Sequence, residues 1–469
     1  MNEPLKPKLW SLYGKLLNKE LLNRAWKRVK ANKGTAGIDR IYIADFEENL
    51  DAYLEEIFVE LKTKTYKPTP VKRVYIPKKN GKMRPLGIPI IKDRVVQMAL
   101  VMILEPTFET EVFHENSCGF RPDRGAETAI RKIVARLEWG YTYVYDFDIK
   151  GFFDHIPHKK LMKILNKYIA DGSVLDLIWK MLKAGYIEES KVNPQLEGTI
   201  QGGVISPLIA NIYLNELDWE LAKAGIQTVR YADDSICMCR TPKELQKAEE
   251  VVHRVMAELG LELAEDKTKA VDFHKDDFDF LGFTFCHLRT SARGREYYLV
   301  QPSEKSLKKF KDDIKALTSK QCTFSFEEWC RRLNPVLRGK FNYFLIANRA
   351  CRDVWQECLK RGRNFKGIAY KEYSRLDGYV RERLRTAFSC RGKKHGNRRQ
   401  AKLLHLKYDI EFFVSNMELV CGELLQMRVR REELTTEEYL NHRQTVKGRK
   451  RRKSTPARNQ FFQYAQAKI

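Results

Sequence analysis

At 469 residues the chain is long enough for two or three domains with a substantial core. Its 86 lysines and arginines outnumber 61 aspartates and glutamates, for a formal charge of +25, and an excess of that size points to a polyanionic partner, nucleic acid in preference to an anionic membrane surface. The longest apolar run, residues 95–104, is about half a membrane span, residues 1–10 hold no signal-peptide core, and ten cysteines without a Cys-x-x-Cys pair suit reduced structural thiols in a cytoplasmic protein and give no zinc site.

Residues 5–30 mix apolar and basic side chains at helical spacing. The loop Asn32-Lys33-Gly34-Thr35-Ala36-Gly37 follows. Asp45 is placed to cap the next helix, whose apolar positions (Phe46, Leu50, Tyr53, Leu54, Ile57, Leu61) recur about every 3.6 residues. Residues 71–77 and 83–89 then read as strands joined by the basic turn Lys78-Lys79-Asn80-Gly81-Lys82, an Asn-Gly hairpin with cations at its tip. A solvated basic turn is the plainer alternative. Residues 94–108 predict a buried helix and 126–137 an amphipathic one, with the loop Ser117-Cys118-Gly119-Phe120-Arg121-Pro122 between them. Residues 143–149 are a strand by composition, with Asp146 and Asp148 at alternate positions and therefore on one face. Helical patterns follow at 158–168 and around 175–182. Gln201-Gly202-Gly203-Val204-Ile205-Ser206-Pro207 then opens a helix that runs through 217, its first N–H groups able to face a phosphate or a base.

Tyr231-Ala232-Asp233-Asp234 lies between two short runs rich in β-formers and apolar residues, which predicts a tight hairpin with two acids at its tip. Residues 245–259 are helical, 265–269 form a charged turn, and 280–285 read as one strand bent at Gly282. From 303 to about 391 the pattern is helical and rich in lysine. The stretch 391–469 carries 19 basic residues against eight acids, including the run Lys447-Gly448-Arg449-Lys450-Arg451-Arg452-Lys453, which is available to nucleic acid.

Clustered acid on so basic a chain calls for divalent metal. Two adjacent aspartates supply part of such a site, and Asp148 on a neighbouring strand supplies the third carboxylate; Asp146, on the same face, is the alternative. Hard oxygen ligands suit Mg2+, and two such ions about 3.5–4 Å apart clamp the attacking and leaving oxygens of an in-line phosphoryl transfer. One would activate a primer 3′-hydroxyl and the other hold a triphosphate, with the lysines and Arg84 of the 76–89 hairpin adding positive charge.

In order, Arg84-Pro85-Leu86-Gly87-Ile88-Pro89, Ser117 to Pro122, Asp148-Ile149-Lys150-Gly151-Phe152-Phe153-Asp154, Gln201 to Pro207, Tyr231 to Asp234, Glu265-Asp266-Lys267-Thr268 and Leu281-Gly282-Phe283 resemble the successive blocks of a reverse transcriptase, closest to the bacterial group II intron-encoded enzymes. The resemblance runs on through residues 333–344 and 376–385, which look like that family's maturase or thumb domain, and covers roughly residues 20 to 390. It implies an α+β right-hand polymerase: N-terminal extension and fingers (1–145), palm with the catalytic hairpin (146–300, part of 155–200 shared with the fingers), helical thumb (301–390) and a basic extension with possible DNA binding (391–469).

The resemblance also implies roles. Asp148, Asp233 and Asp234 would hold two Mg2+ ions, assisted by the Ile149 carbonyl. Lys78 and Arg84 would grip the incoming dNTP and Gln201 position it. Phe153 would be an aromatic gate against the ribose 2′-hydroxyl, although a core phenylalanine is the plainer reading. Lys267 would donate a proton to pyrophosphate, against the default of a surface lysine, and Leu281-Gly282-Phe283 would grip the primer. Arg121 would contact template backbone or brace the fingers. Many relatives end in a Cys/His zinc endonuclease; without paired cysteines, no such domain and no zinc are expected. The implied function is RNA-directed DNA synthesis with binding of a structured intron RNA to assist splicing and retrohoming at a DNA target. The alternatives are a domesticated or defence-associated relative, an RNA-binding maturase with dispensable polymerase, and an RNA-dependent RNA polymerase, the last opposed by Phe153.

Overall fold

A computed structural model describes residues 8–77, 81, 83–189, 191–289, 296–319, 324–357, 364–389, 408–429 and 431–451. They fall into two compact units, residues 1–274 and 275–469.

The first unit opens with α1 (Tyr13–Leu16), α2 (Lys19–Ala31), α3 (Ile43–Glu48) and α4 (Leu50–Lys62). Trp26 of α2 stacks on Phe46, and Phe46 on Tyr53, at 4.8 and 4.5 Å between ring centroids. Asp45 does cap a helix, but from its third position, accepting the Tyr42 N–H at 2.8 Å; the chain then breaks at Asn49, so the single predicted helix is two. Strands β1 (Val71–Pro77) and β2 (Met83–Ile88) pair antiparallel from Lys72↔Ile88 to Pro77↔Met83. Most of their turn, Lys78 included, lies outside the described residues.

Next come α5 (Ile91–Thr107), α6 (Ala126–Glu138), β3 (Tyr143–Phe147), α7 (Phe152–His155), α8 (His158–Tyr168) and α9 (Gly172–Lys183). Val95, Val96, Ala99 and Leu100 of α5 are fully buried and form the spine of this unit's core. A short hairpin, β4 (Tyr186–Glu188) with β5 (Lys191–Asn193), extends the first sheet to the order β2-β1-β4-β5. Neither strand was predicted, since three residues of mixed exposure carry no alternation to read.

The unit closes with α10 (Ser206–Lys223), β6 (Gln227–Tyr231), β7 (Asp234–Cys239), α11 (Pro242–Leu259) and β8 (Lys269–Asp272). The second sheet runs β6-β7-β3-β8, antiparallel throughout, with α6, α10 and α11 packed on it. Buried side chains fix the register of a sheet, because a one-residue slip would turn every side chain to the other face. Here the register pairs Tyr231 with Asp234 and Phe147 with Ser235, which fixes where the acids emerge.

The second unit holds β9 (Phe278–Phe280), β10 (Phe283–Arg289), β11 (Glu296–Pro302), α12 (Glu304–Leu317), α13 (Phe326–Glu357), β12 (Asn364–Lys366), α14 (Tyr370–Ser389), α15 (Gly422–Arg428) and α16 (Thr436–Arg451). The predicted bent strand at 280–285 is two strands. Leu281 and Gly282 both take positive φ, 48° and 74°, the backbone of a two-residue hairpin turn, and Phe280 pairs with Phe283. Tyr343 donates its hydroxyl to the Leu281 carbonyl at 2.6 Å.

Described residues from 408 onward pack within this unit. The Phe326 ring contacts Phe388, Tyr408 and Phe413 at 4.3, 4.8 and 5.5 Å, and Asp377 of α14 accepts the Gly422 and Glu423 N–H groups that open α15, at 2.8 and 2.9 Å. No helix among the described residues is long and apolar enough to cross a membrane. The seven described cysteines are buried and unpaired.

Candidate active site

The β6–β7 hairpin has a two-residue loop, Ala232-Asp233, in which Ala232 adopts φ 59°. That left-handed residue turns the chain within one step and puts Asp233 at the tip and Asp234 at the head of β7. One step past the Phe147↔Ser235 pair, β3 delivers Asp148 level with Asp234. The backbone of 148–150 is then clipped to the segment before Lys267: the Lys150 N–H donates to the Glu262 carbonyl at 2.9 Å, and the Ala264 N–H to the Asp148 carbonyl at 2.8 Å. Ile149 is buried and bridged to Leu263.

Asp148, Asp233 and Asp234 share one cleft of about 1580 Å³ with Ile149, Arg84, Phe153, Gln201 and Lys267. This exceeds the space a small-molecule ligand needs. Asp146 is not among the lining residues. Burial, and then the charge of Asp148, raises the Asp233 carboxyl, while Arg84 and Lys267 oppose the rise. Burial and the charges of Asp233 and Asp148 push Asp234 up to about 6. Lys267 forms an ion pair with Asp148, and that hydrogen bond holds its ammonium above the ordinary lysine value.

Among the described residues no group of three or more acidic, histidine or cysteine side chains is already gathered in metal-holding geometry; Lys267 occupies one Asp148 oxygen instead. The donor set nevertheless fits a hard divalent cation: three carboxylates in one cleft, two of them disfavoured as anions by burial and by the charge of Asp148.

The wall that carries Arg84, Leu86 and Gln201 is assembled by close backbone approach. The Gly87 N–H donates to the Gln201 carbonyl at 2.8 Å, and a Cβ at Gly202, whose φ is 114°, would sit 2.5 Å from the Gly87 carbonyl oxygen. Gln201 donates its side-chain amide to both Asp154 oxygens at 3.0 Å. Phe153 is half-buried, with Phe120 edge-on at 6.5 Å. The Val204 and Ile205 N–H groups do not face the cleft as free donors, because the buried Gln97 side chain accepts both, at 2.8 and 3.4 Å.

The Arg121 side chain is held within the protein. Its buried guanidinium grips Glu109 through two 2.7 Å bonds and donates to the His114 and Ser117 carbonyls at 2.6 and 3.0 Å, so it braces the loop behind the cleft. Leu281, Gly282 and Phe283 belong to the second unit and are described only within it. Sequence reasoning passed over Arg230, Asp218 and Asn211, all buried beneath the hairpin. The signal available was Asn211, Asn215 and Asp218 recurring at helical spacing among the apolar positions of α10.

A palm-like antiparallel sheet presenting acids under a basic hairpin defines a nucleic-acid polymerase. Residues 76–285 match the family of reverse transcriptases (RNA-dependent DNA polymerases), and residues 307–360 match the group II intron maturase-specific domain. Protein YkfC of Escherichia coli K12 is 34% identical over 329 residues, 61% of this chain and 86% of that protein. The group II intron-encoded protein LtrA of Lactococcus lactis is 39% identical over 267 residues, 55% of this chain and 42% of LtrA. A solved Candida albicans telomerase aligns at 13% identity and a TM-score of 0.40, covering 80% of this chain and 68% of that one. The chain belongs to the group II intron-encoded reverse transcriptases, with an α+β right-hand polymerase fold and a helical maturase domain. It spans most of YkfC but under half of LtrA.

Proposed function

We propose that the cleft extends a primer 3′ end with dNTPs on an RNA template, using Mg2+ held by Asp148, Asp233, Asp234 and the Ile149 carbonyl. The observation that carries this reading is the convergence of the three acids with Arg84, Phe153, Gln201 and Lys267 in one cleft. Two bound Mg2+ ions would lower the pKa of the primer hydroxyl and neutralise charge on the triphosphate. Arg84, close enough to act on Asp233, would hold the triphosphate together with Lys78. Phe153, buttressed by Phe120, would close the space that a ribose 2′-hydroxyl needs. Gln201, oriented by Asp154, would position the nucleotide. Lys267 holds its proton firmly beside Asp148 and would yield it to the departing pyrophosphate.

Leu281, Gly282 and Phe283 would steady the primer. The maturase domain and the net charge of +25 support binding of intron RNA to assist splicing, with a DNA target as a further partner and the 391–469 stretch as one of its contacts. Buried unpaired thiols suit the cytoplasm. The test is primer extension by purified protein on RNA with Mg2+ and dNTPs. Asp233→Ala should reduce extension to background, and undiminished extension by that variant would remove the hairpin from the chemistry.

A further inference from the structure

Arg230 stands two residues before the Ala232-Asp233 loop, yet its side chain is 1% exposed. Its guanidinium is held from two sides. Nε donates to both Asp218 oxygens at 2.9 and 3.1 Å, and Nη2 donates to Asp218 as well. Nη1 donates to Asn211 Oδ1 and to the Ala232 carbonyl, each at 2.9 Å. Asn211 and Asp218 lie seven residues apart on α10 and so project from one face.

The Ala232 carbonyl belongs to the peptide that joins Ala232 to Asp233, so the orientation of that peptide sets where the Asp233 carboxylate leaves the turn. Ala232 sits at φ 59°, a region L residues rarely choose. Its carbonyl is tied to a guanidinium that cannot move, because the Arg230 backbone is pinned too: its N–H donates to the Asn116 carbonyl at 3.0 Å and its carbonyl accepts the Cys118 N–H at 2.8 Å. Asn211 completes a ring by donating to the Gly119 carbonyl at 2.8 Å, and a Cβ on Gly119 would lie 2.4 Å from the Ala232 nitrogen. A buried ion pair adds little net stability over apolar packing of the same volume. What Arg230 supplies that an apolar residue could not is the fixed donor on the turn.

We propose that Arg230, anchored by Asp218 and Asn211, is a positioning residue that sets the Ala232–Asp233 peptide and thereby the geometry in which Asp233 and Asp234 receive metal. This rests on the assignment of those aspartates as metal ligands. The experiment compares wild type, Asp233→Ala and the double variant Arg230→Met/Asp218→Leu, which removes both charges together. Melting temperature and affinity for primed RNA report folding; kcat and KM for dNTP report function; Mn2+ binding to the free protein, followed by electron paramagnetic resonance, reports the site without turnover.

The double variant is expected to melt within a few degrees of wild type and to bind primed RNA normally. Its kcat should fall about 10- to 100-fold, as a slight misplacement of reacting groups produces, with KM for dNTP little changed and Mn2+ bound more weakly. Wild-type kcat and Mn2+ binding in the double variant would overturn the positioning role. If Asp233→Ala also extended normally, the fault would lie with the metal-site assignment; if it were inactive, with Arg230 alone. Should the double variant not fold, Arg230→Lys keeps the charge opposite Asp218 without the forked reach to Ala232, and it is judged by the same kcat and Mn2+ criteria.

Discussion

Glu423 is fully buried, yet it is charged. Arg443 Nε and Nη2 donate to its two oxygens at 2.6 Å, and the Tyr370 and Tyr439 hydroxyls donate at 2.6 Å. Burial alone would raise this carboxyl; the hydrogen bonds from Arg443, Ser374 and the two tyrosines hold it down to about 2, against 4.5 ordinarily. Arg443→Ala removes the cation and leaves the anion enclosed. Breaking a buried pair from one side costs about 3–5 kcal/mol; the whole depression of the pKa, which Arg443 shares with Ser374 and the two tyrosines, is worth about 3 kcal/mol at 1.36 kcal/mol per pKa unit. At about 2–4 °C per kcal/mol for a unit of this size, the transition of residues 275–469 should drop by about 6–20 °C at neutral pH. Because the folded-state pKa is the lower one, the stabilisation is complete above pH 4.5 and fades as pH falls toward 2. Scanning calorimetry of wild type and variant from pH 7 to pH 3 should therefore show the gap narrowing below pH 4.5. A gap under about 1 kcal/mol at pH 7, or one that stays constant on acidification, would refute the reasoning.

Phe153→Ala should open the space for a 2′-hydroxyl and let ribonucleotides compete with dNTPs, measured as the ratio of kcat/KM for the two sugars; an unchanged ratio would leave Phe153 as core packing. Arg121→Met should lower stability by about 1–3 kcal/mol, because the His114 and Ser117 carbonyls lose their donor while Glu109 keeps Arg124, and should leave the affinity of the folded protein for primed RNA within about twofold. A selective loss of template affinity at unchanged melting temperature would return Arg121 to the template.

The features legible in the sequence were those whose signal is local. Two acids between apolar β-runs make a hairpin tip, and Asp148 is close to them because β3 pairs with β7. Arg121 shows the limit of local reading. A charged loop residue defaults to solvent or ligand, and its Glu109 partner sits twelve residues upstream past a helix end, where no spacing rule connects them. The tail was opaque for the same reason. Charge alone described 391–469, whereas Phe413 and Glu423 are placed by Phe326 and Arg443, contacts that exist only after tertiary folding.

Arg230 is the more instructive miss, because its environment defeats the pattern itself. Thr228, Val229 and Arg230 are buried in succession, since α6 and α10 both pack against β6 and the loop at 116–118 hydrogen-bonds along it, so the alternation that marks a half-exposed strand is gone. An arginine in a strand with no open face must have a buried counter-charge. The place to look is the adjacent helix, where Asp218 stands two turns from Asn211 along the side that also buries Asn215. The acids that define the chemistry are readable because they break the composition of a basic chain. The residues that aim them are hidden because they satisfy one another, and physical pairing, more than composition, is what recovers them.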